Sequence, residues 1–412
     1  MNRRVVVTGG GCFSALGIQW NEIFLRLKSK KNCVVVMEDW KRFEQMNTRL
    51  AAPILQPLPE MPRKKVRGMG RVAQLSLLAT QDALKLAGIC ENDSIPEELK
   101  LGRMGVAYGS SAGNVDALLD FYSMLIDGNS SKIAATTYIR MMPQTCAVNL
   151  GVYYGLTGRI LTTNTACTSG SMSIGLAYEA IKNNQQDVML AGGAEELSPA
   201  DSAVFDTLFA ASTKNDTPEL TPCAYDKNRD GLVVGEGAAT LILEELEHAR
   251  SRNAPIFAEI VGFGTNSDGK HVTQPNSETM AQAMELALKD ANISPDKIAY
   301  INMHGTATTT GDIAETAAVS KVLGNGIPVS TLKNYTGHTL GACGSIEAWV
   351  SINMMKEGWF CPNLNLMEVD PNCAPLDYIT GDGREIDAEY IMSNNFAFGG
   401  INTSLIFKKW SE

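Results

Sequence analysis

Glycine-punctuated apolar runs alternate with helical patterns along this chain, and that alternation limits the fold more than any single motif does. Strand-like runs fall at residues 5–8, 103–108, 188–191, 239–244, 256–262, 300–303 and 404–407. Helical periodicity falls at 72–87, 169–183, 278–291, 312–323 and 345–357. Strands interleaved with helices predict an α/β architecture. A faint internal echo adds to this. Residues 165–183 pass from small and polar side chains into an amphipathic helix, and 337–358 do the same, opening on Gly341-Ala342-Cys343-Gly344. Two copies of one α/β unit would account for 412 residues without a Ser/Gly linker. The seam is expected at 253–255, dividing the chain into 1–254 and 255–412.

Composition narrows the function. With 44% hydrophobic and 19% charged residues, the chain can build a large core. No apolar stretch approaches the ~20 residues of a membrane span. The start, Met1 to Gly9, holds only a three-residue apolar run, too short for a secretory signal, so a cytoplasmic protein is expected. The nine cysteines are scattered singly, which argues against a disulfide framework and against a metal site of zinc type. A net charge of −10 argues against nucleic acid as the main partner. One basic cluster stands against that background: Arg63, Lys64, Lys65, Arg67 and Arg71. It reads either as a solvated face or as a dock for an acidic partner.

The chemistry centres on Cys167, in Asn164-Thr165-Ala166-Cys167-Thr168-Ser169-Gly170 at the entry to a helix. Unpaired N–H groups and the helix dipole there favour a thiolate, the nucleophilic form. The N–H of Cys167 can also serve an oxyanion. His304 and His338, two of only four histidines, sit at element ends framed by Gly and Thr. Such imidazoles can hydrogen-bond an enolate or move a proton. Lys333 and Glu347 are placed to form an ion pair that tunes them. Gly9-Gly10-Gly11-Cys12-Phe13-Ser14 lacks the third glycine and the later acidic residue of a dinucleotide loop, and is expected to be a turn. Cys343 is expected to be a core cysteine.

These motifs resemble those of the β-ketoacyl-[acyl carrier protein] synthases, the type II elongating enzymes most of all. Thr165-Ala166-Cys167-Thr168-Ser169-Gly170 is similar to the nucleophile motif. The run from Tyr225-Asp226 through Arg229-Asp230-Gly231 to Gly235-Glu236-Gly237 resembles the central motif. His304-Gly305-Thr306-Ala307-Thr308 with Gly311-Asp312 and Glu315 resembles the first histidine motif, and Lys333 with Gly337-His338 and Gly341–Gly344 the second. Asn394-Asn395-Phe396-Ala397-Phe398-Gly399-Gly400 resembles the C-terminal gating loop.

The resemblance implies a thiolase fold, two similar halves in five layers αβαβα, and a dimer whose acyl pockets reach the subunit interface. It implies an acyltransferase that loads a chain onto Cys167. The enzyme would then condense that chain with malonyl carrier protein, with loss of carbon dioxide, in fatty acid or polyene/polyketide-type biosynthesis. His304 and His338 would hold the enolate, Lys333 and Glu347 would support them, and the N–H groups of Cys167 and Phe398 would form the oxyanion hole, with Phe398 as gate. Thr306 and Thr308 would bind phosphopantetheine, which arrives on the carrier, so no metal or other cofactor is implied. Arg67 and Arg71, with Lys64 and Lys65 beside them, would dock the acyl carrier protein.

The chain departs from the family pattern at Ala397 (usually Gly), Asn334 (Ser or Thr), Thr309 (Pro) and Phe209 (a basic carrier contact). Ala112 replaces a bulky aliphatic residue of the acyl pocket, which implies room for a bulkier, rigid or polyunsaturated chain. A thiolase fits less well, because Phe396-Ala397-Phe398 stands near the place of its second cysteine. A non-catalytic chain-length factor lacks the cysteine that Cys167 supplies. This chain as the active half of a heterodimer with such a factor remains an alternative.

Overall fold

Val5–Ser14 is a ten-residue strand in which every residue is buried. The Gly9-Gly10-Gly11 run, expected as a turn, is therefore strand interior, and its glycines serve packing. A Cβ at Gly9 or Gly11 would lie 2.4 or 2.2 Å from the carbonyl oxygens of Ala83 and Ala79, and one at Gly10 would lie 2.3 Å from the Trp349 ring. Side chains alternate along a strand, so helices press on both faces here and only glycine leaves room.

The computed structural model describes residues 3–90 and 94–411. Its main strands are Val5–Ser14 (β1), Met104–Gly109 (β2), Ile160–Thr163 (β3), Val188–Glu195 (β4), Gly237–Glu245 (β5) and Ala258–Ser267 (β6). They continue with Ile298–Asn302 (β7), Pro328–Ser330 (β8), Asp377–Tyr378 (β9), Tyr390–Ala397 (β10) and Ile401–Lys409 (β11). All are hydrogen-bonded in the order β9-β8-β7-β10-β11-β6-β1-β5-β4-β2-β3.

The sheet is a duplication. Outward from β1, the steps to β5 and β4 are antiparallel and those to β2 and β3 parallel. Outward from β6, the steps to β11 and β10 are antiparallel and those to β7 and β8 parallel. The two copies meet where β1 and β6 pair antiparallel, Val5 opposite Ile260.

Five helices complete the layers: Arg71–Leu86 (α1), Ser169–Lys182 (α2), Ser277–Ala291 (α3), Thr309–Leu323 (α4) and Cys343–Glu357 (α5). Helix α1 covers β1 and β5, while α3 covers β6 and β11. Helices α2 and α5 pack against each other between the two halves of the sheet. The result is the five-layer αβαβα arrangement of a thiolase-type fold. Helix α5 is buried at every position from Cys343 to Met355, as a helix at the centre of a layered protein must be. Each central helix follows a single 3₁₀ turn, Ala166–Thr168 before α2 and Leu340–Ala342 before α5. Each turn opens on a residue in the left-handed region, Ala166 at φ 49° and Leu340 at φ 45°. This is the structural form of the sequence echo, and it makes Gly341 the counterpart of Cys167.

Candidate active site

The turn between β3 and α2 presents Cys167. Hydroxyl groups of the motif brace it: Ser169 Oγ donates to the Ala166 carbonyl at 2.7 Å, and Thr168 Oγ1 to the Thr165 carbonyl at 2.7 Å. From the first residue of α5, just past the equivalent turn, Cys343 Sγ donates to the Cys167 carbonyl at 3.1 Å. Cys343 is buried, as expected of a core cysteine, and it fixes the nucleophile's backbone. Cys167 itself is only 6% exposed. Burial pushes its thiol up to about 11. The Lys333 ammonium and the N–H groups of Phe398 and Cys167 pull the other way, while Glu195 pushes further up. The expected resting thiolate is therefore not what this environment favours, because desolvation outweighs the N–H groups and the helix dipole. The same N–H groups, directed at the sulfur, are of the kind that can hold an oxyanion on a Cys167-bound carbonyl.

His304 follows β7. Its N–H and that of Gly305 donate to the Glu315 carboxylate at 2.6 and 2.8 Å. Its Nδ1 lies 3.4 Å from Asn395 Nδ2, which also donates to Glu347 at 2.7 Å. An amide nitrogen only donates, so His304 Nδ1 accepts and Nε2 carries the proton. His338 is held by its N–H on the Val233 carbonyl at 2.6 Å. Its Nδ1 accepts from the Leu340 N–H at 3.2 Å, and its Nε2 is buried with no partner. The rings stand 5.3 Å apart and nearly perpendicular, at 87°. Ligand atoms of Cys167, His304 and His338 all lie within 4.8 Å of one another. Burial, and then the Lys333 charge, holds both histidines well below the usual imidazole range, so both are neutral at pH 7.

Behind the rings, Lys333 Nζ donates to Glu347 Oε1 at 2.5 Å, each side chain almost fully buried. Burial opposes the Lys333 charge, but the surrounding Cys343, Glu347 and Glu315 hold it above the usual lysine range. Burial pushes Glu347 up, while Lys333, Asn395 and Asn302 pull it back. The central motif clamps the first histidine loop. Tyr225 donates from its N–H to Asp312 at 2.8 Å and from its hydroxyl to Glu315 at 3.3 Å. Buried Arg229 bridges Asp312 at 3.3 Å and Asp370 at 2.7 Å. Across the site, Glu195 accepts from the N–H groups of Ser111, Ala112 and Gly341 at 2.7, 3.2 and 2.9 Å. Asn395, Asn302, Glu195, Tyr225 and Arg229 were not singled out from the sequence. Three of them stand inside recognisable motifs, which was the available signal.

A cavity of about 280 Å³ joins Cys167 and both histidines to the surface past Thr306 and Thr308. Those two hydroxyls lie 2.9 Å apart. Phe398 lines the cavity and packs at a tilt against Phe205, ring centroids 5.5 Å apart. Ala397 is the last residue of β10, in ordinary extended conformation, and the left-handed turn falls on Gly399 and Gly400. The Cβ of Ala397 thus costs nothing here. Asn334 ties two loops, accepting from the Ala224 N–H at 2.9 Å and donating to the Leu364 carbonyl at 2.8 Å. Thr309 is the first residue of α4, where proline would also fit.

Ala112 does not line the cavity, and its N–H is taken up by Glu195. Arg71 is part-exposed, its Nε and Nη2 donating to the buried Glu236 at 2.7 and 2.8 Å. A guanidinium so engaged supports the loop rather than standing ready for a partner. Arg63, Lys64, Lys65 and Arg67 are exposed, the first three on the short helix Arg63–Val66. Phe209 is 89% exposed at φ 53°.

Cys167, His304 and His338 also have the spacing of three metal ligands. A cation there would face the Lys333 ammonium and would need a thiolate that burial disfavours.

Comparison with known proteins agrees with this geometry. Residues 2–249 match the family Beta-ketoacyl synthase, N-terminal domain, and residues 257–367 match Beta-ketoacyl synthase, C-terminal domain. The chain is 36% identical over 419 residues to 3-oxoacyl-[acyl-carrier-protein] synthase 2 of Vibrio harveyi, covering 100% of this chain and 99% of that one. A crystal structure of a beta-ketoacyl synthase from Burkholderia phymatum STM815 is 56% identical, with TM-score 0.97 over 99% of this chain and 100% of that one. The ishigamide ketosynthase/chain length factor is 27% identical, with TM-score 0.89 and full coverage of both chains, at 100% each.

Proposed function

The chain belongs to the beta-ketoacyl synthase family, and on that basis we propose that it is a condensing acyltransferase that extends an acyl chain by two carbons using malonyl carrier protein. The observation that supports this best is the trio of Cys167, His304 and His338 within 4.8 Å, with two N–H groups directed at the sulfur.

In the first half-reaction, Cys167 attacks the thioester of an acyl carrier protein. The acyl–sulfur bond to the carrier breaks, and the Cys167 proton ends on the departing carrier thiol. The N–H groups of Cys167 and Phe398 hold the tetrahedral oxyanion. In the second half, malonyl carrier protein enters past Thr306 and Thr308 and loses carbon dioxide. The electron pair moves onto the thioester oxygen, which the Nε2–H groups of His304 and His338 hold as an enolate. Neutral imidazoles with Nδ1 occupied can donate there without first taking a proton. The enolate carbon then attacks the acyl-Cys167 carbonyl, and the Cys167 sulfur leaves. Lys333 keeps the thiolate form within reach, and Glu347 with Asn395 orients the His304 ring. No step calls on a metal or redox group.

The acyl carrier protein is the proposed partner, docking on Lys64, Lys65 and Arg67. The chain is proposed to work as a homodimer. The likeness to a ketosynthase/chain length factor supports a second reading, the catalytic half of a heterodimer, and sedimentation of the purified chain separates the two. The cytoplasm is the proposed compartment; no described helix is long and apolar enough to cross a membrane.

The test is intact-protein mass spectrometry after incubation with a panel of acyl carrier proteins. Wild type should gain an acyl mass and Cys167→Ala should not. Absence of acylation from every carrier by folded protein would remove the reading.

A further inference from the structure

Helix Pro199–Thr207 forms one wall of the catalytic cavity, through Phe205 and then Leu208. Asp201 and Ser202 lie one turn before Phe205, at the i−4 and i−3 spacings that share its face. Neither is satisfied. Asp201 Oδ2 and Ser202 Oγ are both sealed from solvent without a hydrogen-bond partner, and Ser202 is 1% exposed. The helix does not need them, since its N-cap is Ser198, which accepts from the Ala200 N–H. Buried polar atoms are normally paired, so two adjacent orphans one helical turn from the cavity-lining Phe205 call for a ligand.

The surroundings sharpen the point. The charges that act on Asp201 are Glu195 and Glu196. Both are already engaged, Glu195 with the 110–112 loop and Gly341, Glu196 with Asn114, Val115 and Val72. Burial, and then these two carboxylates, push Asp201 up to about 7, so near neutrality its carboxyl can donate as well as accept. Glu195 also acts on the Cys167 thiol, which puts the orphan pair and the nucleophile around one common neighbour. The small Ala112, bonded to that same Glu195, leaves only a methyl group on the adjoining loop.

We propose that Asp201 and Ser202 form a hydrogen-bonding station one turn beyond Phe205, selecting acyl chains that carry a hydroxyl or keto oxygen over plain hydrocarbon chains. The station deepens the acyl-transfer reading and rests on it. Neither side chain lines the 280 Å³ cavity, so a chain on Cys167 would have to displace Phe205 to reach them, and its oxygen would supply the partner that both lack. A site built to bond an oxygen discriminates against the analogue without one, because its own polar groups then stay unpaired.

The experiment compares loading of Cys167 from carrier proteins bearing octanoyl or decanoyl chains with loading from matched chains whose hydroxyl is walked from mid-chain to the end. Intact mass gives the ratio of rate constants, hydroxylated over plain. In wild type one hydroxyl position should load faster by about tenfold or more. Asp201→Leu should collapse that ratio toward unity, Ser202→Ala should lower it, and Asp201→Asn should retain part of it. Asp201→Leu removes an unpaired buried carboxyl, so its melting temperature should hold or rise. A ratio near unity in wild type at every position, or a ratio that Asp201→Leu leaves unchanged, overturns the proposal. So does a clear drop in melting temperature, which would make Asp201 a structural residue. Failure of wild type to load any chain removes the acyl-transfer reading and this one with it, whereas loading with an unaltered ratio removes this one alone.

Discussion

The N–H of Leu340 donates to Nδ1 of His338 at 3.2 Å, and that bond leaves Nε2 as the atom that carries the proton. Thr339, at φ −85° and ψ 25°, bends the chain so that the next amide faces the ring. His338 is thereby a committed donor. His338→Ala should lower carbon dioxide release from malonyl carrier protein by ~10²–10³, the usual loss for one preorganised donor. Acylation of Cys167 should survive. Radiolabelled carbon dioxide release beside intact mass checks both; an equal loss in the two half-reactions would contradict the assignment.

The thiol of Cys167, pushed up to about 11, is mostly protonated at neutral pH. Its thiolate fraction should therefore climb about tenfold for each pH unit, with no plateau below about pH 10. Alkylation by iodoacetamide, followed on Cys167 by peptide mass, should show that slope between neutral pH and pH 9. A plateau near pH 7 would mean that the N–H groups and Lys333 outweigh burial after all.

Lys333 and Glu347 form a buried ion pair at 2.5 Å. Lys333→Ala strands the Glu347 carboxylate in the core, a loss expected at ~3–5 kcal/mol of stability. Lys333→Met combined with Glu347→Leu should recover much of that stability but not the activity. Urea denaturation of the single and double variants reads the first effect, and condensation assays read the second.

Gly10 faces the Trp349 ring, where a Cβ would stand 2.3 Å away. Gly10→Ala should cost ~1–3 kcal/mol by overpacking. Trp349→Leu in the same chain should relieve part of it. Thermal melting of the pair measures the coupling; additive losses would show that the two positions do not press on each other.

Lys64 and Arg67 are exposed, whereas Arg71 is spent on Glu236. Reversing charge at Lys64 and Arg67 should raise KM for the carrier protein far more than for a free pantetheine thioester, and salt should shrink the difference. Arg71→Ala should instead lower the melting temperature. Steady-state kinetics with both acyl donors distinguishes the two behaviours.

Much of the site was legible because its chemistry is local. Cys167 sits at a helix entry, and each histidine follows a strand or a glycine turn, which neighbouring residues reveal. What escaped the sequence was contact across the chain. Asn395 reaches His304 and Glu347, and Arg71 reaches Glu236, over separations that carry no periodic signal. The triple glycine of β1 was misread for the same reason. Its cause is a pair of helices, α1 and α5, that begin far downstream in sequence.

The sequence by itself determined the alternation of strands and helices, the duplicated unit and the residue types of the reaction, since these follow from periodicity, backbone preference and side-chain chemistry. Only the tertiary structure decided the protonation of the site and the state of its polar atoms. Desolvation and hydrogen-bond direction depend on which atoms surround a group, not on which residues precede it. That is why burial favours the thiol at Cys167, why both imidazoles present Nε2–H, and why Asp201 and Ser202 stand unpaired one turn from Phe205.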